Sequence, residues 1–343
     1  MRKSALVFRR KTFDSPSSTS SSFFTNFLKY IFLALIVGIC AVLIWLGWQV
    51  WLSEYRTTTW EKEFDRFNLL ILIPDSKEAL NKKVYFVSIG GKEEDSYVAE
   101  LPAEHELQAW NNYGRFRITA LPQLYALNGH PDQFFISQLA VQTGLIADVE
   151  LKEDAATEYS ITDHRGLTRF FSPFTWWSRR NTLALSSQVR IWRSLEALRN
   201  DQVVNVSEQL EKALTQSDTQ ANMSQLNFLQ NTVTAKQGES VAVVNLTGIN
   251  GLGGYMAEVL GAQGFRVVHV SSDGFERNKK SEIIVPTHMS LDSRERFYLS
   301  HLFPEVPPNV VDKTFTDKYR TEYVVVFGED FNKFISEWQV GGK

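Results

Sequence analysis

From Ile31 to Leu52 the chain carries no charged side chain, and Gln49 is the one strongly polar group in the run. A helix of that length rises about 33 Å, enough to cross a hydrocarbon core of roughly 30 Å. Trp45, Trp48 and Trp51 recur three apart and so lie close together on a helix. They suit an interfacial aromatic belt, with Tyr30 serving the opposite side. Residues 30–52 are therefore predicted to be a transmembrane helix. The 29 residues up to Lys29 hold Arg2, Lys3, Arg9, Arg10, Lys11 and Lys29 against one acid, Asp14, whereas Glu54, Glu61 and Glu63 follow the span. The positive-inside rule then puts residues 1–29 in the cytoplasm as a Ser-rich tail and everything after the span outside it.

A cleaved signal peptide has a shorter apolar core and a small-residue exit. Here the run ends in Trp48-Gln-Val-Trp-Leu52, so a retained single-pass anchor in the cell membrane is expected. Ile39 precedes Cys40, which does not suit a lipoprotein cleavage site, and a lone cysteine excludes a disulfide framework or a multi-cysteine zinc site. The formal charge of the whole chain is −3, so the part beyond the basic tail is acidic, a poor match for nucleic acid.

Beyond a connector at 53–66, two patterned blocks follow. In the first, 67–214, the continuous run Asn68–Ile73, stopped by Pro74, reads as a buried strand. Val84–Ile89 and Ser96–Leu101 form a hairpin across the turn Gly90–Asp95, whose acids Glu93, Glu94 and Asp95 are read as solvated. Phe134–Thr143 is a predicted helix with Phe135, Leu139 and Gln142 on one face and Gly144 as its stop. Leu183–Asn200 is a second, with Leu185, Val189, Trp192 and Leu195 as its apolar stripe and Arg190, Arg193 and Arg199 largely off it. Gln202–Val206 is one more strand. The polar stretch 215–238 is the expected linker.

The second block, 239–335, opens with the strand Ser240–Leu246 and a glycine cluster, Gly248, Gly251, Gly253 and Gly254. A helix over Leu252–Ala262, a stop at Gly264 and a strand over Phe265–Val270 complete a βαβ unit. In that strand His269 alternates with Val268 and Val270 and is expected to face solvent. Ser281–Val285 is a strand, Leu291–Leu302 a helix and Thr321–Phe327 a last strand, closed by Gly328-Glu-Asp330. The fold class is α/β: one transmembrane helix followed by two extracytoplasmic α/β domains.

Chemistry is harder to find. Gly251-Leu-Gly253 begins like a dinucleotide-binding turn, but Met256 stands where the third glycine belongs, leaving only the distant acid Asp273. A structural turn with close helix packing is the simpler reading. The histidines His105, His130, His164, His269, His288 and His301 are scattered without metal spacing, and no nucleophile is tied to a base. No catalytic residue, metal site or cofactor is expected.

Val243-Val-Asn-Leu-Thr-Gly248, Gly251-Leu-Gly253, Gln263-Gly-Phe265 and Val324-Val-Val-Phe-Gly328-Glu-Asp330 resemble, in order, the C-terminal domain of LytR-CpsA-Psr cell-envelope proteins. The first block resembles that family's catalytic domain more loosely, through Leu69–Asp75, Ser96–Pro102 and Tyr113–Ile118. Members of that family transfer glycopolymers from a polyprenyl-pyrophosphate carrier to peptidoglycan, with Mg²⁺. Where the family has Arg-Ser-Asp this chain has Lys82-Lys83-Val84, and where it has Pro-Arg-Asp this chain has Pro102-Ala103-Glu104. The late Arg-x-Arg has no counterpart. Loss of those charges removes the stabilisation that phosphoryl transfer needs. The resemblance thus implies a non-catalytic membrane-anchored envelope protein that binds or scaffolds at the cell wall. Its implied partners are the membrane, a cell-wall glycan or polyprenyl-linked precursor, and other envelope proteins. The alternative is an active glycopolymer phosphotransferase with a rearranged site, in which Lys82, Lys83, Arg115 and Arg117 bind the lipid phosphates beside Mg²⁺.

Overall fold

The computed structural model describes residues 19–56, 66–74, 82–90, 94–152, 160–172, 185–215, 239–272, 280–287 and 294–335. The chain divides into two compact units, Met1–Tyr55 and Arg56–Lys343.

The first unit is built on helix α1, Thr19–Arg56. Its stretch Phe27–Trp45, near the N-terminus, is long and apolar enough to cross a membrane, and none of it is buried. It begins ahead of the sequence-based start because Phe27 and Leu28 outweigh the single charge of Lys29, so Tyr30 falls inside the stretch. Tyr30 and Trp45 are exposed. Trp48 and Trp51 continue the helix, but their side chains lie outside the described residues. A signal sequence would show the same length and composition.

The second unit is mixed α/β. Its first half comprises strands β1 (Arg66–Pro74), β2 (Lys82–Gly90), β3 (Ser96–Glu100), β4 (Glu106–Ala109) and β5 (Gly114–Arg117). Helices α2 (Leu121–Leu127) and α3 (Gln133–Thr143) lead to β6 (Val149–Lys152). Helices α4 (His164–Phe170) and α5 (Leu185–Ala197), strand β7 (Val203–Asn205) and helix α6 (Ser207–Thr215) complete it. The second half begins with β8 (Ser240–Asn245), α7 (Leu252–Ala262), β9 (Arg266–Ser271) and β10 (Glu282–Val285). It ends with α8 (Arg294–Ser300), β11 (Asn309–Val311), α9 (Lys313–Tyr319), β12 (Tyr323–Phe327) and α10 (Asn332–Ile335).

Two five-stranded mixed sheets result, ordered β6-β1-β2-β3-β7 and β11-β10-β12-β8-β9, with β4 and β5 as a separate two-stranded ribbon. In β1, strand alternation sends Leu70 and Leu72 to one face and Phe67, Leu69, Ile71 and Ile73 to the other. Both faces are covered, which is why the run reads as uninterrupted apolar sequence. The outer face packs under α4 and α5 through Leu167, Phe170, Ile191 and Leu195. The inner face joins Phe135, Leu139 and Val141 of α3, and the same cluster continues through Leu252, Met256 and Val259 of α7 to Val241, Val243 and Val325 of the second sheet. One hydrophobic core therefore runs from sheet to sheet.

Polar bonds lock the seam. Tyr255 Oη donates to Val141 O at 2.6 Å, and Gln263 donates to Gly144 O. Gln133 Nε2 donates to Phe303 O at 3.1 Å. Tyr298 Oη donates to the buried carboxylate Oδ2 of Asp148 at 2.8 Å.

This middle position explains where the sequence reading was incomplete. Helix α3 has no solvent face: Phe134 through Val141 are all buried, and Gln142 is spent on the backbone of Gln108. The buried line of α5 is Gln188, Ile191, Leu195 and Leu198, with Val189 and Trp192 only half-buried, so the stripe is rotated from the predicted one. Its residue Leu185 has a side chain outside the described residues, as does the linker from residue 216 to 238. Strand β9 is a sheet edge, and the bulge opposite Val241/Ala242 breaks its alternation, so Val268 and Val270 are exposed together with His269. The ribbon β4–β5 and strand β6 are too short and too irregular in pattern to stand out in sequence.

Replacing Tyr298 by Phe removes one bond to a buried carboxylate. The expected loss is about 1–3 kcal/mol of stability, read from urea unfolding with an unchanged m-value.

Candidate functional site

The turn from β8 into α7 is organised by Asn245. Its Oδ1 accepts from Thr247 N at 3.1 Å and Thr247 Oγ1 at 2.6 Å, while its Nδ2 donates to Ile249 O at 2.8 Å. Both ends of the amide are thus used inside the turn. Gly248 and Gly251 have φ of 77° and 81°, the left-handed region that favours glycine. Gly253 instead meets a neighbour: a Cβ there would stand 3.0 Å from Val270 Cγ1. Gly254 lies inside α7 with open space around it. Met256 is fully buried, so the position of the missing third glycine is filled by core packing. Asp273 lies outside the described residues.

The cations form a different pattern. Lys83 on β2 faces Glu100 on β3, with Nζ–Oε1 3.6 Å. On β5, Arg115 pairs with Glu106 at 3.7 Å and Arg117 with Glu104 at 2.8 Å. Arg115 and Arg117 share the exposed face of the ribbon, while Phe116 turns toward the core. Ala103 and Glu104 occupy the exposed turn between β3 and β4. The Lys82 side chain lies outside the described residues. Lys83, Arg115 and Arg117 thus each have a carboxylate partner, and these surface pairs are the kind worth little energetically. Among the described residues, no group of three or more His, Cys, Asp or Glu side chains is placed to hold a metal ion.

Sequence reading missed a buried polar chain. Arg66, predicted to end the connector, is buried at the start of β1 and reaches Glu94 at 3.4 Å, Asp95 O at 3.1 Å and Ser88 Oγ at 3.1 Å. Its guanidinium lies 5.0 Å from the Tyr97 ring centroid. Ser88 Oγ donates to Asn68 Oδ1 at 2.7 Å, and Asn68 N donates to Asp148 Oδ2 at 2.7 Å. Asp148 then takes the Tyr298 phenol described above. Burial lowers the pKa of Arg66, and the Glu94 charge opposes that shift. Glu94 is therefore a partner of a buried arginine and not simply a solvated turn residue. The sequence signal was small: one Arg and one Asn beside an apolar strand.

Two further groups are electrostatically perturbed. Burial holds the His301 imidazole down at about 4, and its Nδ1 lies 3.0 Å from Phe297 O. The Glu239 carboxyl is pushed up to about 7, first by burial and then by the charges of Glu295 and Glu322. Glu322 itself accepts from Ser240 N at 2.8 Å. Ser240 Oγ donates to the same Glu322 carboxylate, so these acids brace the entry to β8.

Comparison with known proteins bears on the second half of the chain. Residues 239–331 match the family model described as LytR cell envelope-related transcriptional attenuator. The segment β8–β12 thus matches a LytR-type C-terminal domain, in the place where the sequence motifs resembled one. Among solved structures, a transcriptional regulator from Enterococcus faecalis is 15% identical, over 28% of this chain and 34% of that one, with a TM-score of 0.22. The chain thus spans about a third of that protein's length. A protein from Streptococcus agalactiae is 8% identical, over 64% of this chain and 81% of that one, with a TM-score of 0.22. No curated protein matches the chain.

Substitution should separate the glycines. Gly251→Ala is expected to lower stability by about 1–2 kcal/mol because alanine resists the left-handed region. Gly254→Ala, inside the helix, should raise it by about 0.5–1 kcal/mol, both read by chemical denaturation. For Glu239 the folded pKa lies above the unfolded one, so the folded state holds the extra proton between them. Stability should then fall as pH rises from about 4.5 through about 7. Glu239→Gln should flatten that slope in thermal melts.

Proposed function

We propose that the protein is a membrane-anchored cell-envelope protein of LytR-CpsA-Psr type, which binds or scaffolds at the cell wall without catalysing glycopolymer transfer. The match of residues 239–331 to a LytR cell-envelope family carries this reading. Helix α1 supports the anchor. A stretch with Phe32, Leu33, Val37, Leu43 and Ile44 all exposed needs an apolar surrounding, and lipid supplies one at roughly 25 cal/mol per Å² of surface removed from water. The basic tail before it and the acidic connector after it favour a cytoplasmic N-terminus and an extracytoplasmic second unit.

The non-catalytic part rests on charge. Stabilising a pyrophosphate leaving group requires cations aimed at one point. Lys83, Arg115 and Arg117 each sit beside a carboxylate on the exposed surface, which neutralises the field they present. A polyprenyl-linked precursor, a wall glycan or another envelope protein is accordingly proposed as a bound partner and not as a substrate.

Protease added to intact cells should trim the chain beyond Tyr55 and leave a protected fragment containing Phe27–Trp45. Full protection of the C-terminal half would overturn the topology. Purified protein supplied with Mg²⁺ and a polyprenyl-pyrophosphate glycan should release no phosphate. Metal-dependent release, abolished in a Lys83, Arg115 and Arg117 triple alanine variant, would replace the binding reading with the transferase one.

A further inference from the structure

A second cluster, unused by the reading above, lies where the loop after β4 meets the turn between α2 and α3. Asn111 and Asn112 both adopt φ of 59°, a left-handed conformation that costs a non-glycine residue about 1–2 kcal/mol. The strained pair is held from beneath by Trp110, which is fully buried. Trp110 N donates to Tyr125 Oη at 2.8 Å, and its Nε1 donates to Phe134 O at 3.0 Å and Ser137 Oγ at 3.1 Å. The surface of the loop is thereby fixed before any ligand arrives, which lowers the ordering cost of binding.

That surface presents the Tyr113 ring and several amides, with the buried Phe134 backing His130 from below. His130 stacks on Phe134, with centroids 4.2 Å apart and planes 15° from parallel. Its Nε2 lies 3.2 Å from Asn111 Nδ2 and 3.1 Å from Tyr113 Oη. Tyr113 stays 37% exposed, enough to leave ring surface open to solvent. Asn112 and Asn128 are exposed beside them in sequence, and Gly129, with φ of 71°, makes the turn that brings His130 to the loop. Amide groups both donate and accept, and an aromatic face packs against C–H groups. That combination matches a pyranose ring, which offers hydroxyls around its edge and a C–H face.

The nearby charges argue for a neutral ligand. Arg115 and Arg117 on the following strand are paired with Glu106 and Glu104, and Lys333, which lies over the Phe334 ring near Phe134, is paired with Glu305. Lys152 is likewise answered by a carboxylate, that of Asp132 two residues after His130. We infer that Asn111, Tyr113 and His130 form a binding site for an uncharged saccharide unit. The inference deepens the envelope reading and rests on it for where such a sugar is met.

Calorimetric titration of the full-length protein in detergent micelles tests this, with chitotriose and cellotriose as probes and inorganic pyrophosphate as the charged control. At least one trisaccharide should bind, and Tyr113→Ala should weaken it about tenfold, the size of one lost aromatic contact. Asn111→Gly should also weaken binding while leaving the melting temperature equal or higher, because glycine accepts φ of 59° without strain. It therefore separates lost recognition from lost folding. Absence of binding by both sugars, or equal binding by the wild type and both variants, would overturn the site. Tyr113-dependent binding of pyrophosphate alone would overturn its neutral character. Neither outcome bears on the placement of the chain, which the protease experiment decides separately.

Discussion

The second unit depends on one packing constraint: helix α3 is enclosed on all sides between two sheets. Each side needs the other. Leu139 and Val141 close the inner face of the first sheet, and α7, lying against the second, donates the Tyr255 phenol to the backbone of Val141. A helix in that position has few polar outlets of its own. Gln138 accepts from the Tyr125 phenol and donates to Gln108, Gln142 donates to Gln108, and Thr143 donates to Leu139. Two of these bonds converge on the one carbonyl of Gln108 in β4, and a third ties α3 to α2 through the Tyr125 phenol. The β4–β5 ribbon is fixed by the same bonds, and through Trp110 so is the loop it presents.

Electrostatics divides along the same line. In the buried chain from Glu94 through Arg66, Ser88 and Asn68 to Asp148, charge is held by several hydrogen bonds at once. The exposed charges of Lys83, Arg115 and Arg117 are each answered by one carboxylate on a neighbouring strand or turn. The first arrangement specifies structure, since removing one partner strands the rest. The second leaves little net field outside the protein.

Much of this could be read from the sequence. The βαβ unit stands where periodicity put it, with α7 running over Leu252–Ala262, because strand, glycine turn and helix each have local causes in neighbouring residues. The first hairpin and the stop at Gly144, with φ of 73°, were legible for the same reason. What sequence could not give was anything set by distant partners. The all-round burial of α3, the rotated face of α5 and the pairing of β1 with β6 depend on residues about eighty or more positions away, as in Asn68 with Asp148. The candidate cations were legible as residues but not as pairs, since Glu100, Glu104 and Glu106 lie on separate strands or turns. The strained loop at Asn111 was invisible, because Trp-Asn-Asn-Tyr carries no motif.

The seam through Asp148 has a practical bearing on how the molecule can be divided. Severing the polypeptide in the long polar stretch ahead of β8 would look harmless on paper. A fragment holding only the latter half would nonetheless present Tyr255, Tyr298, Phe331 and Phe334 to water, and its counterpart would keep a carboxylate deprived of its phenol. Such pieces are prone to clump, or to seek the missing half in trans, so recombinant work is best served by retaining both sheets on one polypeptide.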